Sequence, residues 1–251
     1  MFEHMVDRKL TTLCKSYTDI GTTRDKNQDY ILTSEESNIY IVADGIGGLE
    51  GGEIASKIAA EQMFYNVRSR SPHGDFYQHV LRATILTNQY VYNYALKRFH
   101  GRRMGTTLTA LMFNNSKYIV SHIGDSRCYL FRDERLYPIT NDQTLKMHLK
   151  KVSNEHSADV LDSKKHILTQ AIGIKETCTP ILNQNTTEAG DLFMLCTDGL
   201  YNTLADDELL QVFKNHSNDI SDFSEILIEM SMARHRGDNL SFILVKVISS
   251  I

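Results

Sequence analysis

Three short apolar runs in this chain each end on an aspartate beside glycine. Ile39–Val42 leads into Asp44-Gly45-Ile46-Gly47-Gly48, Ile119–Ile123 into Gly124-Asp125-Ser126, and Leu192–Cys196 into Thr197-Asp198-Gly199. A fourth site, Gly237-Asp238-Asn239, comes just before the run Leu240–Val247. Runs of this length and composition read as strands, and Asp-Gly at a strand end is a turn that leaves space beside its carboxylate. One such pair is an ordinary turn. Four of them suit a fold in which several strand ends present acids from rigid elements.

The remaining pattern fits a sheet-rich chain. Leu13–Ile20 and Asp29–Thr33 are further strands, followed by helical stretches over Gly52–Val67 and Phe76–Phe99. In the second helix Phe76, Val80, Ala83, Thr84, Thr87, Val91, Tyr94 and Ala95 recur near i+3/i+4, which marks a core-facing stripe. Strands resume at Thr107–Phe113, Tyr118–Ile123 and Arg127–Phe131, with Asn114–Asn115 as a hairpin turn. A polar stretch, 141–166, reads as an inserted flap. Strands at Thr179–Gln184 and Leu192–Cys196, helices at Asp206–Asn215 and Asp219–Ala233, and a last strand complete the chain. Clustered strands with paired helices, without strict βαβ alternation, predict an α+β fold of packed sheets with helices outside. No linker or repeat divides the chain, so a single domain over residues 1–251 is expected.

The totals exclude more than they assign. The net charge of −4 gives no general electrostatic reason to bind nucleic acid or an acidic membrane face. Cys14, Cys128, Cys178 and Cys196 form no CxxC pair, and three lie in strand-like runs where a free thiol acts as a small hydrophobe. No signal-like h-region opens the sequence, and no apolar stretch reaches the ~20 residues of a membrane span. A cytoplasmic monomer is the expectation.

Carboxylates brought together carry their own requirement. Two of them ~4 Å apart repel by ~4 kcal/mol at an effective dielectric near 20, so a cluster either takes up protons or holds cations. Oxygen ligands without histidine or thiolate favour Mg²⁺ or Mn²⁺ over zinc. Residue chemistry alone therefore reaches a carboxylate metal site, with the isolated turn as the alternative at each aspartate.

Several motifs then occur in order: Arg24-x-x-Asn27-Gln28-Asp29; Val42-Ala43-Asp44-Gly45-Ile46-Gly47-Gly48 with Gly51-Gly52-Glu53; Met104-Gly105-Thr106-Thr107; Ile123-Gly124-Asp125-Ser126-Arg127; Cys196-Thr197-Asp198-Gly199; and Gly237-Asp238-Asn239. With them the chain resembles the metal-dependent protein phosphatases of the PPM, or type-2C, family in their compact bacterial form. The resemblance implies a central β-sandwich of two mainly antiparallel sheets between helical layers. It implies hydrolysis of phosphoserine and phosphothreonine in proteins, opposing Ser/Thr kinases, by a hydroxide bridging two Mn²⁺ or Mg²⁺ ions. Position by position, Asp44 would bridge both ions and the Gly45 carbonyl would ligate the second. Asp198 and Asp238 would complete the first site, and Asp29 would act through a bound water. Asp125 with Asp198 would hold a third, weaker ion, and Arg24 would grip phosphate, a task that suits its planar fork. The implied partners are phosphorylated proteins and a cognate Ser/Thr kinase.

The chain also departs from that pattern. Ile46 and Leu49 stand where many relatives carry a histidine able to protonate the leaving group, which leaves that role to a metal-bound water. Gln143 replaces an expected Asp-His pair. In the flap, Lys146, Lys150, Lys151, Lys164 and Lys165 with His148 or His156 either contact phosphopeptide or form a solvated face. His122 reads as a satisfied core histidine, Ser126 and Arg127 as packing residues, and Glu188–Asp191 as a turn. Two other functions remain open: a catalytically weak or inactive phosphatase-like regulator, and a phosphatase of small metabolites.

Overall fold

A computed structural model describes residues 10–47, 51–69, 74–98, 103–152, 161, 163–164, 166–234 and 237–249. Ten strands build two five-stranded sheets. The strands are β1 (Thr11–Asp19), β2 (Asp29–Ser34), β3 (Ile39–Asp44), β4 (Leu108–Asn114), β5 (Lys117–Ile123), β6 (Arg127–Arg132), β7 (Arg135–Pro138), β8 (Ile181–Thr186), β9 (Leu192–Cys196) and β10 (Leu240–Ser249). One sheet runs β1-β10-β9-β6-β7 and the other β2-β3-β4-β5-β8. Every pairing is antiparallel. The helices among the described residues are α1 (Gly52–Arg68), α2 (Phe76–Arg98), α3 (Leu145–Val152), α4 (Asp198–Tyr201), α5 (Asp206–His216) and α6 (Ile220–Ala233).

Three apolar layers follow from the alternation of the strands. Tyr40, Val42, Leu111 and Val120 face Leu130, Phe193, Leu195, Ile243 and Val245 between the sheets. The opposite faces pack outward: Ile41, Ala110 and Ile119 against Ala59, Met63 and Val91 of α1 and α2, and Met194, Phe242 and Leu244 against Phe213, Phe223 and Leu227 of α5 and α6. The result is the expected α-β-β-α arrangement. The stripe on α2 is buried from Val80 to Ala95 with Asn88 added to it, while Phe76 and Tyr94 are partly buried against the same core. No described helix is long and apolar enough to cross a membrane. All four cysteines are free.

Local differences have local causes. Strand β7, absent from the sequence reading, is four residues long and mostly exposed. It closes on β6 through Asp133 and Glu134, both at positive φ (50° and 57°), the backbone of a tight hairpin turn. The β4–β5 turn is Asn115–Ser116, one residue later than expected, because Asn114 pairs with Lys117 and Asn115 takes the left-handed φ of 53°. Strand β8 begins at Ile181, after Pro180, which has no N–H to give a ladder.

Candidate active site

The antiparallel topology delivers the acids to one end of the sandwich. Asp29 opens β2 directly opposite Asp44, which closes β3. Asp198 follows β9, and Asp238 precedes β10, the strand paired with β9. Asp125 lies in the turn between β5 and β6, where Gly124 adopts φ 106° with the Thr107 side chain packed where a Cβ would go. A cavity of about 890 Å³ opens there, lined by Arg24, Asp44, Gly45, Asp125, Asp198 and Asp238 among others. Six of the seven residues singled out from sequence thus share one cavity. Asp29 lies behind it.

Backbone clamps fix the floor. The Asp44 N–H donates to Thr107 Oγ1 at 2.9 Å, and the Asp44 carbonyl accepts from Thr107 N–H and Thr106 Oγ1, both at 2.8 Å. Ile46 N–H donates to the Gly105 carbonyl. A side chain at Gly45 would collide with the carbonyls of Gly52 and Gln28, so the close approach of these segments needs glycine there. Asn239, 5% exposed, holds the first loop: its Nδ2 donates to the carbonyls of Ile20 and Lys26, and its Oδ1 accepts from Gln28 N–H.

The carboxylates are held in a protonation-prone state. Asp29, 7% exposed, accepts from Thr197 Oγ1 and Ser241 Oγ at 2.8 Å on Oδ2, while its buried Oδ1 has no partner among the described residues. Burial raises its pKa to about 7 against the relief those hydroxyls provide, with Asp198 and Asp238 adding to the rise. Burial, then Asp198, brings Asp125 to about 7 as well. Asp44 is pushed well above the ordinary range by burial and then by Asp29, Asp198, Asp125 and Asp238. Asp198 rises through burial and Asp238, opposed by His166 and Arg24.

Arg24 and Asp238, expected in separate roles, are bonded to each other. Arg24 Nε and Nη2 donate to the two Asp238 oxygens at 2.9 and 3.0 Å, with both side chains less than half exposed to solvent (46% and 43% exposed). Among the described residues no group of three or more His, Cys, Asp or Glu side chains is drawn together tightly enough to hold an ion by itself. The donor set is nonetheless all oxygen, and the unpartnered Asp29 Oδ1 and the mutually raised carboxylates suit added positive charge.

The flap residues fall in different places. Lys146 and Lys150 line an adjoining hollow of about 400 Å³ with Arg127 and Asp142, which shares His166 and Asn202 with the carboxylate cavity. Lys151, Lys164 and His148 line neither, while Lys165 and His156 fall outside the described residues, as does Leu49. His166, at the flap's end, reaches the main cavity with Nδ1 3.9 Å from Asp198 Oδ2. Its position had no local signal in the sequence. Gln143 stitches the flap to the site: its Oε1 accepts from Gly124 N–H, its N–H donates to the Gly124 carbonyl, and its own carbonyl accepts from Thr169.

The residues read as structural are so. His122 is fully buried between Thr109 Oγ1 and the Asn141 carbonyl, and burial lowers its pKa to about 4. Arg127 binds Asp142 at two points and covers the Tyr201 ring. Asp191, in the Glu188 turn, is buried against Arg132. Thr107, Thr197, Ser241 and Asn239, which orient the acids or their loops, were not assigned that work from sequence. Thr107, Thr197 and Asn239 had a cue, since each lies inside a quoted motif, whereas Ser241 had none.

This geometry has relatives. A family model described as protein phosphatase 2C matches residues 22–240. Protein phosphatase PhpP of Streptococcus pneumoniae is 29% identical over 239 residues, covering 92% of this chain and 95% of that protein. The crystal structure of the Mycobacterium tuberculosis serine/threonine phosphatase PstP aligns with a TM-score of 0.85 at 26% identity, covering 96% of this chain and 100% of that one. The PstP catalytic domain in complex with two manganese ions aligns at 0.82 and 27% identity, over 96% and 100% of the two chains. With the model spanning most of its length, the chain belongs to the protein phosphatase 2C family.

Proposed function

We propose that this chain hydrolyses phosphoserine and phosphothreonine in proteins, using two Mn²⁺ or Mg²⁺ ions. The observation that carries the proposal is the meeting of Asp44, Asp125, Asp198, Asp238 and Arg24 around one cavity. Buried carboxylates that raise one another's pKa burden the fold unless cations join them. A site kept only for docking a partner has no use for that burden.

In this reading Asp44, Asp198, Asp238 and the Gly45 carbonyl hold the two ions, with Asp29 reaching through water, and Asp125 with Asp198 holds a third, weaker one. Among the described residues no three acids would enclose an ion unaided, so carbonyl and water oxygens would complete each set, and Asp238 would exchange its bond to Arg24 for an ion. When bound, the ions supply Lewis-acid activation of water near neutral pH and charge to oppose the phosphoryl oxygens. Arg24, released from Asp238, offers the same two-point fork to phosphate oxygens. Thr106 and Thr107 keep Asp44 in place while charge shifts around it. Ile46 carries no proton to give the leaving alkoxide. The physiological counterpart is a Ser/Thr kinase acting on the same proteins.

Hydrolysis of p-nitrophenyl phosphate and of a phosphothreonine peptide in Mn²⁺, by the wild type and Asp198→Ala, tests the reading. Turnover that vanishes in the variant supports it. A wild type that binds Mn²⁺ yet turns over neither substrate would return the chain to the regulator class, and preference for phosphorylated sugars would make it a metabolite phosphatase.

A further inference from the structure

The cavity is not acidic all round. Arg103 and Lys175 are both exposed, both line it, and neither has an ion-pair partner among the described residues. Arg24 and His166, in the same cavity, are each engaged with an aspartate. Two cations that stay unpaired beside four carboxylates remain available to an incoming anion.

Their backbones are held firmly. Arg103 leads into Met104–Thr107, where Thr106 and Ile172 exchange two backbone hydrogen bonds at 3.1 and 2.9 Å. Lys175 lies in the turn that follows Ile172. Asn88 of α2, fully buried, uses its whole amide on that turn: Oδ1 accepts from Gly173 N–H at 2.9 Å, and Nδ2 donates to the carbonyls of Lys175 and Glu176 at 3.0 Å. Gly173, at φ 83°, packs where a Cβ would strike Val91 and the Met104 carbonyl, so the turn sits directly on the Arg103 segment. Ile174 and Ile46 meet over Gly105, where a Cβ would lie 2.5 and 3.0 Å from their Cδ1 atoms, and both line the cavity. The cavity therefore combines a carboxylate floor, an isoleucine ledge and two cations without an ion-pair partner among the described residues, Lys175 on the braced turn and Arg103 on the segment beside it. A buried asparagine spent on one exposed turn is a costly way to hold a merely solvated lysine.

We infer that Arg103 and Lys175 form a second anion subsite, which makes the preferred substrates phosphopeptides with another acidic group beside the scissile phosphate. The inference rests on the phosphatase reading above and narrows its substrate class. Guanidinium and ammonium both bind carboxylate or phosphate, so a flanking Asp, Glu or second phosphorylated residue would satisfy the subsite.

Three otherwise identical phosphothreonine peptides decide the matter, with a neutral flank, an aspartate flank, or a non-hydrolysable phosphonate flank. The wild type should favour the acidic peptides in kcat/KM by about fivefold, the scale of one or two partly exposed ion pairs, and the preference should shrink with salt. Arg103→Ala/Lys175→Ala should bring the ratio near one with p-nitrophenyl phosphate turnover unchanged, and Arg103→Lys/Lys175→Arg should restore it. Comparing the two acidic flanks identifies which anion is read. A wild type that is active but treats all three peptides alike, or a double variant that keeps the preference, overturns the subsite and leaves the phosphatase reading intact. Fluorescence anisotropy of the same peptides on Asp198→Ala reads the subsite without turnover. Tighter binding of the acidic peptides there, lost in the triple variant, upholds it even if the wild type proves inactive, whereas equal binding of all three overturns it.

Discussion

The two sides of the cavity are made differently. The carboxylate side comes from strand ends, where Asp29, Asp44, Asp125, Asp198 and Asp238 are set by ladder register, threonine clamps and the Asn239 amide. The other side, in the described residues between Gln143 and Thr177, has few ladder bonds and hangs on isolated side chains, chiefly Gln143 and Asn88. Chemistry that must hold mutually repelling charges sits on the rigid part. Under the proposed function, recognition of varied protein surfaces would fall to the side held by single side chains.

Substitutions that strike each side should separate these roles. Asp44→Asn should have the largest effect, lowering Mn²⁺-dependent hydrolysis by about a thousandfold or more, since it removes an acid proposed for both ions; a variant within tenfold of wild type would move the chemistry away from this floor. Arg24→Ala should lower kcat/KM by about a hundredfold through lost phosphate contact. The same change removes Asp238's competing partner, so calorimetric Mn²⁺ affinity should stay level or rise; a marked fall would mean Arg24 organises the metal site.

Asn239→Ala removes three buried hydrogen bonds and should cost about 1–3 kcal/mol in urea unfolding. Gln143→Ala, on the flap side, removes the Oε1 acceptor of Gly124 N–H while its backbone bonds to Gly124 and Thr169 remain, and should leave p-nitrophenyl phosphate turnover within about threefold while changing phosphopeptide KM. Equal losses on both substrates would erase the distinction between the two sides.

Proton linkage gives the smallest and most direct test of the floor. Asp29 and Asp125 have folded pKa values of about 7, above the ordinary carboxylate value of 3.8. Their contribution is fully present below the unfolded value and is lost as pH rises through 7. The metal-free melting temperature should therefore fall between pH 5 and 8, and Mn²⁺ should raise it more at pH 8 than at pH 5. A flat metal-free profile with a pH-independent Mn²⁺ shift would mean these acids are not held as described.

Much of this was readable in advance where the cue is local. Strand alternation and the α2 stripe have fixed periods, so the layers and most element bounds follow from them, and Asp-Gly after an apolar run marks an acid at a strand end. Strand β7 escaped because four residues carry too little pattern, and its turn depends on Asp133 and Glu134 adopting a backbone that neither residue favours. The flap lysines stayed open between phosphopeptide contact and a solvated face because a lysine-rich stretch states its charge without its direction; the structure places Lys146 and Lys150 on the smaller hollow beside the cavity.

The sequence by itself determined packed sheets with helical covers and the identity of the acids at the strand ends, because hydrophobic period and turn chemistry act over a few residues; that the sheets are two came from the family resemblance. Only the tertiary structure decided that Arg24 bonds Asp238 from 214 positions away, that Thr197 and Ser241 hold Asp29, and that His166, Arg103 and Lys175 reach the same cavity. Such contacts join segments with no shared period. They exist because packing the three apolar layers brings these strand ends and loops to one end of the sandwich, where burial and charge then choose the partners.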